Sequence, residues 1–216
     1  MILEAAAAAL VCLDPGHGTA SRVAFQREPI GPGSRTLKIK DPGGAPGEGD
    51  VVLAIAKKTR ALLLARGYRV AMTRDRAGYA GGNVARARYC NVRGAALMLR
   101  IHADGSSNPA VHGGHTLYPA RIRGWTDDVY GRSVRAARLV QRALIDATGA
   151  RDLGLQHRSD LTGFNWADVP VILTETGYLS NPRERRLLHT ATYQSRIASG
   201  LAEGVWRYLA MTPKRG

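Results

Sequence analysis

Two patterns of apolar residues alternate along the chain. Short apolar runs that stop at a turn or a polar residue are typical of buried strands, whereas an apolar residue at every third or fourth position is typical of an amphipathic helix. The strand pattern is found at residues 10–13, 68–73, 96–101, 114–118 and 169–174. The helix pattern is found at residues 50–66, 84–93 and 129–148, and residues 182–209 predict one or two further helices.

Strands that alternate with helices in this way predict an α/β fold. The sheet would be twisted and mostly parallel, with helices on both faces, because parallel strands are joined by crossover helices that cover the sheet. No internal repeat or low-complexity linker divides the chain, so residues 1–216 are interpreted as a single domain.

Residues 19–47 interrupt the alternation of strands and helices. The segment is rich in glycine and proline, and residues 22–26 and 36–40 alternate loosely on either side of Gly31-Pro32-Gly33, which predicts a hairpin insertion. Such an insertion either forms a wall of a cleft or is a tolerated surface loop, and the sequence leaves both open.

The charge of the chain points to an anionic partner. Lysine and arginine number 31 against 17 aspartates and glutamates, a net charge of +14, which favours association with a polyanion. Nucleic acid, an anionic membrane face and a phosphate-bearing wall polymer all fit, and the charge does not decide among them. A nucleic-acid platform around Arg121, Arg123 and Trp125 is disfavoured, because aromatic residues make up 6% of the chain and form no stacking array. No apolar run is long enough to span a membrane.

The two cysteines and the N-terminal segment bear on whether the protein is exported from the cytoplasm. Cys12 and Cys90 have neither C-x-x-C nor zinc-finger spacing, and two buried thiols are the favoured interpretation, with a disulfide as the alternative if the protein is exported. Residues 5–13 resemble a signal-peptide core, but no lysine or arginine precedes them, so their end is interpreted as a strand. If the protein is exported, we expect its signal to have been removed.

Three polar residues stand where strands end or helices begin. His17 follows the first strand, Glu48 opens the first long helix, and His102 ends the strand at residues 96–101. These positions converge on one edge of an open α/β sheet. Two histidines and one glutamate are a known catalytic zinc set that leaves the fourth position for water. Taken singly, each histidine also fits a hydrogen-bonded loop residue, and the glutamate fits a favourable helix-dipole position.

The segments around these residues carry a recognisable set of motifs in a fixed order. They are LDPGHG at 13–18, EGDVVLAIA at 48–56, Thr73-Arg74, Arg86 with Asn91, RIHAD at 100–104, and ETGYLSN at 175–181. Together they resemble the zinc-dependent N-acetylmuramoyl-L-alanine amidases, over nearly the whole chain.

The resemblance implies a function and a site. His17, Glu48 and His102 would bind one zinc ion per chain, and Glu175 would be the catalytic acid/base. The reaction would be hydrolysis of the amide between N-acetylmuramic acid and L-alanine of peptidoglycan, in the periplasm or outside the cell, by a host autolysin or a phage endolysin. The alternative is a non-catalytic peptidoglycan-binding domain that retains the amidase fold; a nuclease would need paired metal carboxylates, and none stands out.

The chain departs from the family pattern in several places. Arg100 and Asp104 replace a serine and an asparagine, and the direction of the Arg100 side chain is left open. The interval between His17 and Glu48 is long. The loop at residues 103–113 is too short for the inhibitory helix of some members, so we expect an open site. His112 and His115 are excluded as a metal pair, because residues three apart on a strand point to opposite faces.

Overall fold

A computed structural model describes residues 8–19 and 21–211. Its strands are β1 Leu10–Pro15, β2 Arg27–Pro29, β3 Leu37–Ile39, β4 Arg69–Met72, β5 Leu97–Asp104, β6 Gly114–Pro119, β7 Asp152–Arg158 and β8 Val171–Tyr178. Its helices are α1 Glu48–Ala65, α2 Asn83–Asn91, α3 Tyr130–Thr148, α4 Thr162–Asn165, α5 Pro182–Leu188 and α6 Ala191–Ala210.

The main sheet has six strands in the order β4-β1-β5-β8-β6-β7. The first four strands of that order run parallel to one another, β6 is antiparallel to β8, and β7 is parallel to β6. The prediction of an α/β fold with a mostly parallel sheet is therefore confirmed. The central strands β5 and β8 are almost wholly buried, as expected for strands covered on both faces.

Helices cover both faces of this sheet. On one face α1, α3 and α6 pack against the strands around Leu13, Leu99 and Ile172, and on the other face α2 and α4 enclose a second cluster that includes Met98 and Phe164. Alternate residues of each strand enter the two clusters because successive side chains point to opposite faces.

The sequence placed most elements correctly but missed or shifted a few. The predicted hairpin exists as β2 and β3, but residues 22–26 are not its first arm, because Arg22–Phe25 forms a 3-10 helix. Strand β7 and helix α4 were not predicted. Strands β5 and β8 run beyond their predicted ends, so that His102 and Glu175 lie within strands and not after them.

The favoured prediction of two buried thiols was wrong. Cys12 and Cys90 are buried, but they form a disulfide with an S–S distance of 2.07 Å and a Cα–Cα distance of 5.7 Å. The bond links β1 to the last turn of α2, which packs on the same face of the sheet. That proximity arises from packing between segments 78 residues apart, which their spacing in the sequence does not show.

The helices and the N-terminal segment bear on two expectations, that no apolar run is long enough to span a membrane and that residues 5–13 end in a strand. Across the described ranges, no helix combines the length and apolar character that a membrane crossing requires. Of the signal-like segment at residues 5–13, residues 5–7 lie outside the described part, and its end forms β1 from Leu10 onward, as predicted.

Candidate functional site

His17, Glu48 and His102 meet at the carboxyl-terminal edge of the parallel strands. Their potential ligand atoms all lie within 4.8 Å of one another. The Glu48 Oε1 atom is 3.5 Å from His17 Nε2 and 3.0 Å from His102 Nδ1, and the two imidazole rings are edge-on, with centroids 5.0 Å apart. The structure thus brings together the three residues that the sequence singled out.

Close backbone packing brings these side chains within reach of one another. A Cβ atom added at Gly16 would overlap the His102 imidazole, and one added at Gly44 would overlap the Glu48 carboxylate and the His17 ring. His17 itself has a φ of 52°, a left-handed conformation that is uncommon outside glycine. Because these glycines of the DPGHG and DPGG segments have no side chain, the backbone can lie close to the candidate ligands.

Two buried arginines hold the loop that carries His17. Arg74 donates hydrogen bonds to the carbonyl oxygens of Pro15 at 3.1 Å and Gly16 at 2.7 Å. Arg86 donates to the carbonyl oxygens of Pro15 at 2.9 Å and His17 at 2.7 Å. These contacts fix the His17 backbone in an otherwise unfavourable conformation.

Arg100 projects to the same face of the sheet as His102, two residues earlier in β5, and its side chain bonds to groups beneath the site. Its Nε donates to Asp14 Oδ2 at 2.8 Å and its Nη2 to Asn83 Oδ1 at 2.6 Å, on the α2 face of the sheet. Asp14 also accepts a hydrogen bond from Arg86 at 2.8 Å, so one buried carboxylate joins both arginines. Arg100 is therefore part of the support beneath the site, which answers the question that the sequence left open.

Asp41 belongs to the site, and sequence reasoning missed it. Its Oδ1 atom lies 2.6 Å from His17 Nδ1, and although burial by itself raises the pKa of Asp41, the hydrogen bond and charge of His17 lower it below its ordinary value. A carboxylate on Nδ1 leaves Nε2 to face a metal, as carboxylates around metal-binding histidines commonly do. The only local signal was the turn sequence Asp41-Pro42-Gly43-Gly44.

Asp41 also bears on the segment at residues 19–47. The hairpin is held against α2 by Glu28, whose carboxylate accepts from the backbone N–H groups of Asn83 at 2.7 Å and Val84 at 3.3 Å. Its chain then continues through Asp41 to Glu48. The segment therefore forms one side of the site, which favours the wall interpretation over a free surface loop.

The pKa shifts of Glu48 and His102 favour the protonation states in which these residues can bind a metal. Burial raises the pKa of Glu48, but the hydrogen bond from His102 and the histidine charges outweigh it, so the net shift is downward. Burial lowers the pKa of His102, and its Nε2 atom is buried with no hydrogen-bond partner within the described residues. An ionised carboxylate and a neutral imidazole are the forms that bind a metal.

Glu175 stands beside His102 on the neighbouring strand, in register with it. Glu175 is not a surface carboxylate paired with an arginine: it is only 9% exposed, and its Oε2 atom has no partner in the described part of the chain. Burial raises the pKa of Glu175 well above its ordinary value, and the charges of Asp104 and Glu48 raise it further.

The two excluded histidines lie in different surroundings. His112 is exposed in the loop before β6, whereas His115 is buried within β6, in register with Glu175 and stacked on Tyr178 at a centroid distance of 6.1 Å. Neither belongs to the cluster of potential metal ligands found among the described residues. His115 lies closer to the site than the sequence suggested.

A cavity adjoins the cluster. It has a volume of about 440 Å³ and begins at Ala45, whose backbone N–H donates to Glu48 Oε2 at 2.9 Å. The loops after β5 and β8 form its other sides. Its lining residues are Ala45, Pro46, Gly105, Ser106, Leu179, Ser180, Pro182 and Arg185. A group bound next to Glu48 therefore has room to extend between these loops.

Comparison with known proteins identifies similar chains. A family model described as N-acetylmuramoyl-L-alanine amidase matches residues 11–207. N-acetylmuramoyl-L-alanine amidase AmiC of Neisseria meningitidis is 32% identical over an alignment that covers 93% of this chain and 52% of that protein. An N-acetylmuramoyl-L-alanine amidase of Mycobacterium tuberculosis is 32% identical over 213 residues, covering 93% of this chain and 86% of the relative.

A solved structure shares the fold. The crystal structure of the N-acetylmuramyl-L-alanine amidase Ami1 from Mycobacterium smegmatis matches with a TM-score of 0.85 and 28% identity, covering 96% of this chain and 99% of that one. The chain thus spans about half the length of the Neisseria relative and nearly all of the Mycobacterium smegmatis structure.

Proposed function

The chain belongs to the N-acetylmuramoyl-L-alanine amidase family, and we propose that it hydrolyses the amide bond between N-acetylmuramic acid and L-alanine of the peptidoglycan stem peptide. The observation that carries the proposal is the buried carboxyl group of Glu175, which has no partner among the described residues, beside two histidines and a glutamate whose ligand atoms converge. The family match over residues 11–207 supports treating the whole chain as one catalytic domain.

One zinc ion bound to His17, Glu48 and His102 is part of this proposal. Two imidazoles and one carboxylate are a donor set that zinc prefers in catalytic sites. His17 Nε2 and His102 Nδ1 both face the Glu48 carboxylate, at 3.5 Å and 3.0 Å, and the Asp41 carboxylate on the far side of the His17 ring also fits such an ion. When bound, zinc supplies Lewis acidity toward the scissile carbonyl and the attacking water.

Glu175 is proposed to move the proton that the reaction requires. Water adds to the carbonyl carbon, the carbon–nitrogen bond breaks, and one proton of the water ends on the leaving nitrogen. A carboxyl group that is not a metal ligand can take that proton and deliver it to the amine. The raised pKa of Glu175, caused first by burial, favours keeping the proton between the two transfers.

The proposed location is the cell envelope, in the periplasm or outside the cell. The Cys12–Cys90 disulfide supports it, because disulfides persist mainly in oxidising compartments. The net charge of +14 supports an additional, salt-sensitive attraction to anionic wall polymers.

The test combines metal content with product chemistry. The purified protein should contain one zinc per chain and should release peptides with a free L-alanine amine from peptidoglycan, which mass spectrometry identifies. Glu175→Gln should keep zinc and stability while turnover falls by about two to four orders of magnitude, the usual contribution of a general acid/base. Binding to peptidoglycan without release of peptides would favour the non-catalytic alternative, and turnover of the variant within a few-fold of wild type would remove Glu175 from the mechanism.

A further inference from the structure

Three side chains form a row across adjacent strands at the site. His102 on β5 pairs with Glu175 on β8, and Glu175 pairs in turn with His115 on β6. Directly paired residues project to the same face of a sheet, with Cβ atoms about 4.5–5.5 Å apart. His115 is therefore the neighbour of Glu175 on the side opposite His102.

Each member of the row has a buried polar atom that lacks a partner. Within the described residues, no hydrogen bond reaches His102 Nε2, Glu175 Oε2 or His115 Nδ1. Leaving a buried polar atom unpaired is costly, and native proteins rarely cluster such atoms without a reason. A bound group from outside the described residues can satisfy them. Glu175 and His115 lie side by side on paired strands, so one bound group can serve both.

The surroundings of His115 keep its imidazole neutral and fixed. It is 5% exposed and stacks on Tyr178. Burial lowers the pKa of His115; of the charged groups around it, Asp104 on β5 opposes that shift and Arg158 on β7 adds to it, while Glu175 and Tyr178 face it from β8. A neutral imidazole has one nitrogen that accepts a hydrogen bond.

We propose that His115 contacts the substrate, its imidazole accepting a hydrogen bond from the nitrogen of the scissile amide beside Glu175. The inference rests on the proposed amidase function. As the carbon–nitrogen bond breaks, a planar amide with one N–H becomes an amine with additional N–H donors, and these need acceptors inside a buried site. The number of N–H donors that need an acceptor rises toward the transition state. Loss of the contact should therefore lower kcat more than it changes KM.

The test compares variants of His115 on two substrates. His115→Phe keeps a ring against Tyr178 but removes the acceptor, whereas His115→Gln restores one. His112→Phe is the matched control, because His112 is exposed and outside the site. One substrate is a soluble muramyl peptide, and the other is its ester analogue, in which oxygen replaces the scissile N–H.

For the amide, we expect His115→Phe to lower kcat about 10- to 100-fold with KM within about three-fold, the effect of losing one buried hydrogen bond. His115→Gln should recover most of the loss, and His112→Phe should match wild type. For the ester, which has no N–H donor, His115→Phe should stay within about three-fold of wild type. Zinc content and thermal midpoint serve as the folding check.

The outcomes separate this inference from the function on which it rests. Equal loss on amide and ester would assign His115 a merely structural role and overturn the inference, as would an unchanged kcat for His115→Phe. A wild-type protein that cleaves neither substrate would instead reject the proposed function. Loss confined to the amide and recovered by glutamine would support the contact.

Discussion

Replacing Asp14 by asparagine should destabilise the protein strongly. Asp14 is fully buried, and its carboxylate accepts hydrogen bonds from Thr73 at 2.5 Å, Arg86 at 2.8 Å and Arg100 at 2.8 Å. An asparagine keeps the size but loses the charge, so two buried guanidinium groups lose their shared counter-ion and one of them faces an amide N–H.

The size of the effect follows from this geometry. Removing one partner of a buried ion pair costs about 3–5 kcal/mol, because the remaining charge stays desolvated. For a domain of this length each kcal/mol lowers the thermal midpoint by about 2–4 °C, so the drop should be about 6–20 °C. Asp146→Asn is the matched control: its carboxylate is exposed and 4.0 Å from Arg142, so its midpoint should barely change.

The same residue predicts how stability depends on pH. Burial by itself raises the pKa of Asp14, but the charges of Arg86 and Arg100 and the Thr73 hydrogen bond outweigh it, so the folded-state pKa lies well below its ordinary value. A depressed acid pKa contributes stability above the unfolded-state pKa and loses it as the pH falls through the folded-state value. Asp14→Asn should therefore flatten the loss of stability below about pH 4.

Calorimetry and urea unfolding between pH 2 and 7 measure both effects. A midpoint within 2 °C of wild type at pH 7 would refute the argument that Asp14 compensates the two arginines. An acid limb as steep as that of wild type would show that other carboxylates dominate the pH dependence.

Three further predictions concern other parts of the molecule. Reduction of the Cys12–Cys90 disulfide, which closes a loop of 78 residues, should cost about 2–5 kcal/mol, and an unchanged thermal midpoint in reductant would contradict this. Asp41→Asn should weaken zinc binding about 10- to 100-fold in a chelator competition, because the variant loses the carboxylate that orients His17; unaltered affinity would exclude that role. Binding to purified walls should weaken with salt, because exposed charges are screened within about 8 Å at physiological ionic strength, whereas cleavage of a small soluble muramyl peptide should change much less. Equal retention at low and high salt would show that the charge of +14 does not hold the protein on the wall.

Local patterns in the sequence determined the main elements and the candidate ligands. The apolar runs and helical repeats predicted β1, β5, β8, α1 and α3. In each of these segments the spacing of the apolar residues depends only on the secondary structure of that segment and on which side of it is buried. The turn after β1 and the start of α1 marked His17 and Glu48 in the same way. Resemblance to a family then joined them with His102 and Glu175.

Only the tertiary structure decided which distant residues meet. The disulfide, the Asp41–His17 contact and the direction of Arg100 all depend on segments that pack together across 24 to 86 residues of chain. His115 was set aside because its spacing from His112 was considered within one strand. Its neighbour is set by strand order, since β6 pairs antiparallel with β8 and thereby lies next to Glu175. Periodicity reports which face of a segment is buried, but the identity of the neighbouring strand comes from the packing of the whole sheet.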